Sequence, residues 1–193
     1  MIKLDISHLS WKLNKSFNIS RGSKNTAETI EVKLTENKFT GIGECVPYGR
    51  YNETLDSVQK EILELKDGIE NSEINKKNLD QFINNGAARN AIDCALWDLE
   101  SKKKKETVWS MLDVQKPQEI PSSYTVVLDD PDKMIEDIYD HREFPTIKIK
   151  VDNKNLDRIL TNARENLPNT TIIVDANESF EVDDLNKNID LFV

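Results

Sequence analysis

Two short stretches hold the residues with the most chemical content. TIKIKVDN (146–153) sets Lys148 and Lys150 two residues apart, and TIIVDANES (171–179) sets Asp175 and Asn177 at the same spacing. Both stretches alternate: Ile147, Ile149 and Val151 oppose the lysines, and Ile172 and Val174 oppose Ile173, Asp175 and Asn177. Alternation of β-branched with polar residues is the pattern of a half-buried strand. If the apolar faces pack on helices, two ammonium groups, a carboxylate and an amide share the other side. Two lysines so close disfavour each other's protonation, which would lower one pKa from its usual value of about 10.4. Such a lysine suits proton abstraction next to a carboxylate. The resulting carbanion needs a strong electrophile, and a divalent cation supplies one. Asp175 suits one hard-oxygen ligand of Mg²⁺, which requires further acids to complete its shell. A bland reading stands beside this one: the lysines face water on an edge strand, and Asp175 forms the turn into the next helix. The two pairs on adjacent strands, taken together, favour the site.

The elements that must position these residues follow from the pattern around them. Residues 2–13 alternate with a slip near Ser7–His8, and AETIEVKLT and the stretch after TENK read as further strands. Between the first two lies FNISRGSKN, Phe17–Asn25, polar and containing Gly22, which reads as a loop. Asn52 is placed to cap a helix bearing Leu55, Val58, Ile62, Leu65 and Ile69, and a shorter helix carries Leu79, Phe82 and Ile83. GAARNAIDCALWDLESKKKK makes a third helix, with Ala87, Ala88, Ala91 and Ala95 small enough for close packing. VQKPQEIP reads as a linker. After Pro121 the grammar becomes β-α-β-α-β-α, with Asp130–Pro131 opening the first helix, the signature of parallel units. Residues 1–118 therefore read as an α+β domain and 119–193 as the opening of a parallel α/β domain. Three parallel strands leave open edges, and a closed barrel of this kind needs roughly 250 residues. The expectation is a truncated member of a larger architecture that self-associates as a homo-oligomer.

Bulk properties exclude several classes. The 193 residues carry a formal charge of −9, which argues against a nucleic-acid partner. Lys102–Lys105 closes a helix and complements its dipole. No run is long and apolar enough for a membrane span, and the charged N-terminus does not read as a signal peptide, so a cytoplasmic protein is expected. Cys45 and Cys94 read as buried thiols, His8 as a surface residue and His141 as a residue at a helix end.

K-x-K on one strand and V-D-A-N on the next resemble the enolase superfamily, in particular its muconate-lactonising subgroup. The stretches FNISRGSKN, GIGECVPYGRYNET, GAARNAIDCALWDLE, YTVVLDDP, IKIKVDN and IIVDANESF are most similar to the dipeptide (L-Ala-D/L-Glu) epimerases. The resemblance implies an α+β capping domain followed by the first three β/α units of a truncated (β/α)₇β TIM-like barrel. It implies Lys150 as the acid/base at the substrate α-carbon, Lys148 as its pKa-tuning neighbour and Asp175 as a Mg²⁺ ligand. It also implies that Ile19–Asn25, with Arg21 and Lys24, covers a dipeptide or carboxylate substrate. Thr125, on the first barrel strand, and Asn177 are expected as further substrate contacts. The family's remaining metal ligands and opposing lysine have no counterpart here, so the isolated chain is expected to be inactive or nearly so. The same residues serve muconate or chloromuconate cycloisomerases and o-succinylbenzoate synthase-like enzymes, and a non-catalytic self-associating fragment is the remaining alternative.

Overall fold

The computed structural model describes residues 1–19, 22–154 and 156–192. The chain divides into two compact units, Met1–Lys12 with Thr26–Gln118, and Leu13–Asn25 with Glu119–Val193.

β1 (Lys3–Ile19), β2 (Gly22–Glu36) and β3 (Phe39–Cys45) form one sheet in the order β1-β2-β3, of which β1 up to Lys12, β2 from Thr26 and all of β3 belong to the first unit. β2 and β3 are antiparallel from Ile30↔Cys45 to Glu36↔Phe39. Asn37, between them, adopts a left-handed φ of 54°, which a short amide side chain tolerates. Burial along β1 alternates at Ile2, Leu4 and Ile6, then shifts phase to Ser7 and Leu9, where the sequence slips. The helices of this unit are α1 (Leu55–Glu64), α2 (Lys66–Glu70), α3 (Ala87–Lys104) and α4 (Val108–Met111), and buried residues of α1, α2 and α3 share one core with the sheet.

The contact of α3 with β3 is unusually close because both sides are small. A Cβ placed on Gly43 would lie 2.0 Å from the Ala91 carbonyl oxygen, and one on Gly41 would lie 2.2 Å from that of Ala95. Ala88, Ala91, Ile92 and Ala95 are fully buried there. The start of α3 has no side-chain cap of its own; Glu53 Oε1 accepts the Ala87 N–H at 2.7 Å. At the other end Lys102 pairs with Asp98, Lys104 with Glu100 and Lys103 with Glu36, and Lys105 closes the helix at φ 57°. α1 is capped by Thr54, whose hydroxyl accepts the Ser57 N–H while Ser57 Oγ accepts the Thr54 N–H.

Three expectations need correction in this unit. Asn52 is not the cap of α1; at φ 59° it closes the 3₁₀ turn Gly49–Tyr51. Leu79, Phe82 and Ile83 belong to a 3₁₀ turn, Leu79–Gln81, and the chain just after it. Of the cysteines, Cys45 is buried, and burial pushes its thiol up to about 11, but Cys94 is exposed because it lies on the outer side of α3.

In the second unit, β4 (Ser123–Val126), β5 (Thr146–Lys150) and β6 (Thr171–Asp175) form a parallel sheet in that order. They alternate with α5 (Pro131–Asp140), α6 (Leu156–Asn166) and α7 (Val182–Lys187). Asp130 caps α5, its side chain accepting the Asp132 N–H, with Pro131 in the first turn. The apolar face of the sheet, with Val126, Ile147 and Ile149 fully buried, packs with Met134 and Ile138 of α5 and Ile159 and Ala163 of α6. His141 ends α5, its Nδ1 2.9 Å from the Asp137 carbonyl oxygen.

The segment expected as a loop, Phe17–Asn25, is largely strand: β1 continues to Ile19 and β2 begins at Gly22. Side-chain rungs join its two sides, Ser16 Oγ to Asn25 Oδ1 at 2.5 Å and Ser23 Oγ to Asn18 Oδ1 at 2.6 Å. Polar side chains hid the strand from a reading based on apolar alternation. Among the described residues, no helix is long and apolar enough to cross a membrane.

Candidate active site

The site sits at the carboxyl ends of β5 and β6, where parallel α/β sheets place their ligands. Register does the positioning. Thr125, Lys148 and Ile173 form one row across β4, β5 and β6, and Lys150 pairs with Asp175 in the next row on the same face. Because Ile147, Ile149, Ile172 and Val174 are drawn to the opposite face by the helix-side core, the polar set is left to converge.

The convergence is tight. Lys148 Nζ lies 2.6 Å and Lys150 Nζ 2.8 Å from the same oxygen, Asp175 Oδ2. The Lys150 side chain is 9% exposed, whereas that of Lys148 is 33% exposed. Asp175 Oδ1 accepts the Asn177 backbone N–H at 2.9 Å. Asn177 and Glu178 follow with left-handed φ values of 46° and 63°, a conformation that non-glycine residues adopt uncommonly and often near functional sites. Ser179 Oγ is buried there without a hydrogen-bond partner among the described residues.

Electrostatics reverse one expectation. Hydrogen bonds from Lys148 and then Lys150 hold the Asp175 carboxyl well below the usual carboxylate range. The Lys148 ammonium is held above its ordinary value, first by its hydrogen bond to Asp175. Repulsion between two lysines was expected to lower a pKa. For Lys148 the shared carboxylate outweighs it, because the anion is at contact distance from both cations.

Of the other anticipated residues, Thr125 is half-buried beside Lys148, and Asn177 is held beside Asp175 through its backbone. Lys24 is exposed on β2, between the Ser16–Asn25 and Asn18–Ser23 rungs. Arg21 lies outside the described residues. As a Mg²⁺ centre the set is incomplete: Asp175 is a single hard-oxygen donor, and no group of three His, Cys, Asp or Glu side chains converges among the described residues. A second polar cluster, Lys15, Tyr124, Asp137 and His141, had no signal in the sequence, since Lys15 and Asp137 meet across 122 positions.

Known proteins share this architecture. Residues 1–113 match the N-terminal domain of the mandelate racemase / muconate lactonizing enzyme family. The L-Ala-D/L-Glu epimerase of Escherichia coli (strain K12) is 34% identical over 178 residues, covering 91% of this chain and 55% of the relative. An enolase family member from Agrobacterium tumefaciens with homology to dipeptide epimerases was solved with sodium and L-Ala-L-Glu bound. It aligns with a TM-score of 0.91 at 34% identity, over 100% of this chain and 60% of its own. The dipeptide epimerase from Cytophaga hutchinsonii, solved with Mg and the dipeptide D-Ala-L-Val, aligns with a TM-score of 0.83 over 100% of this chain and 56% of its own; at 24% identity it speaks to fold alone. The chain spans about half the length of the curated relatives it matches. With the N-terminal domain matched over most of its length and the two strands of polar residues in place, the chain belongs to the mandelate racemase / muconate lactonizing enzyme family of the enolase superfamily.

Proposed function

We propose that this chain carries the capping domain (residues 1–118) and the first β/α units (119–193) of a (β/α)₇β-barrel dipeptide epimerase. Its reaction is proton transfer at the α-carbon next to a carboxylate, on a substrate such as L-Ala-L-Glu. The observation that carries this reading is the convergence of Lys148 and Lys150 on Asp175 Oδ2 at the ends of two parallel strands. The similarity at 34% identity to the E. coli epimerase and the A. tumefaciens family member favours a dipeptide over the substrates of cycloisomerases.

In this reading Lys150, the more buried of the two lysines, removes or returns the proton on one face of the α-carbon. Lys148 is its neighbour and sets the local charge. Thr125, Asn177, Arg21 and Lys24 hold the substrate, the two basic residues meeting an acidic side chain. Mg²⁺ belongs to the reading through Asp175, which provides one ligand; when bound, the cation supplies positive charge to the substrate carboxylate. Transfer on the opposite face needs an acid that these residues do not supply, so the 193-residue chain alone is expected to produce no epimer.

The test joins residues 1–193 to the C-terminal remainder of the E. coli epimerase and assays L-Ala-L-Glu epimerisation with Mg²⁺. The chimera should turn over, and Lys150→Ala should lower kcat by roughly 10²–10⁴-fold, the usual contribution of a general acid/base. Turnover that survives Lys150→Ala, in the chimera or in the chain alone, would overturn the assignment.

A further inference from the structure

We propose that Asp137 on α5 is the anchor post of the Leu13–Asn25 hairpin, acting through Lys15. The proposal is independent of the epimerase reading, because it concerns what holds the hairpin in place and is read from backbone exchange.

The hairpin has little apolar surface with which to hold itself. Asn14, Lys15, Ser16, Ser23, Lys24 and Asn25 are polar, and Phe17 is 40% exposed. Clefts of about 360 Å³ and 370 Å³ adjoin its first strand, and Lys15, Ser16 and Asp137 line both. The strand therefore crosses hollow ground. Two attachments stand out against it. One is a backbone bond in which the Leu128 N–H donates to the Asn18 carbonyl at 3.2 Å. The other is the Asp137 cluster.

That cluster is built to receive a cation at one place. The Asp137 side chain is only 16% exposed. Lys15 Nζ reaches its Oδ1 at 2.5 Å, and the Tyr124 hydroxyl donates to the same oxygen at 3.0 Å. His141 stacks on the Tyr124 ring at 3.6 Å between centroids and 7° between planes, with its Nδ1 against the Asp137 carbonyl oxygen. The stack fixes the tyrosine, the tyrosine orients the carboxylate, and the carboxylate receives Lys15. From Lys15 the two side-chain rungs Ser16–Asn25 and Asn18–Ser23 carry the placement across to the return strand, on either side of Lys24. Asp137 is thus a positioning residue for the strand that carries Lys15.

Amide hydrogen exchange on the full 193-residue chain tests this. Lys15→Met should speed exchange of the amides of residues 14–18 and of Leu128 by roughly three- to tenfold, the scale of a partly screened ion pair with hydrogen bonds. Amides of β5, in the core of the same unit, should not change. Lys15→Arg should keep the protection. Asp137→Asn should match Lys15→Met, and the double variant should be no faster than either single one. If Asp137→Asn unfolds the unit, Lys15→Met and Lys15→Arg carry the test. Unchanged exchange at residues 14–18 in Lys15→Met would overturn the anchor. So would an equal rise across β5 and the hairpin, which would make the pair a contributor to general stability.

Discussion

Asp175 presents one oxygen to two ammonium groups, so the resting charge of the cluster is set by contact and not by the lysines alone. Asp175→Asn removes the carboxylate that both ammonium groups share and leaves two facing cations, one nearly buried. A loss of about 1–3 kcal/mol is expected, read as a lower urea midpoint. The pH dependence follows from the direction of the shift. The carboxyl is held below its unfolded value, so its contribution is complete above about pH 4 and fades as pH falls toward the folded value. The stability gap between the native chain and Asp175→Asn should therefore be flat near neutrality and narrow in acid. At this scale the sequence was a good guide to identity and a poor one to electrostatics. Alternation alone placed Lys148, Lys150 and Asp175 on one face. That both lysines reach the same oxygen depends on side-chain distances, which no periodicity encodes.

Elements show the same division. Strand and helix order after Pro121 was legible because each unit has its own apolar stripe, and Asp130–Pro131 announces α5. The small-residue stripe of α3 was legible too, but its partner was not: Gly41 and Gly43 face Ala95 and Ala91 only in the folded chain. Gly43→Ala would set a methyl group 2.0 Å from a helix carbonyl oxygen, and backbone on both sides leaves little room to yield. A destabilisation of about 2–3 kcal/mol is expected, measurable by chemical denaturation. The hairpin at Phe17–Asn25 escaped detection for the opposite reason. It is held by polar rungs, and polar residues carry no burial signal.

At the scale of the whole molecule, β4 and β6 are the outer strands of the three-stranded parallel sheet. Near β6 a cleft of about 410 Å³ is lined by Leu160, Ile172, Val174, Phe180 and Phe192. Val182, Leu185 and Ile189 are also exposed. Unpaired strand edges next to apolar surface favour association. Light scattering at high concentration should give a mass above the 22.2 kDa of one chain, and a monodisperse monomer would count against this. The sequence by itself determined the order of strands and helices after Pro121 and which face of β5 and β6 carries charge, because hydrophobic periodicity is local. Only the tertiary structure decided what each charged group meets: Asp175 for the two lysines, Asp137 for Lys15, Glu53 for the start of α3. Lys150 and Asp175 lie 25 positions apart, Lys15 and Asp137 122, and Glu53 and Ala87 34, and packing, not spacing, brings them together.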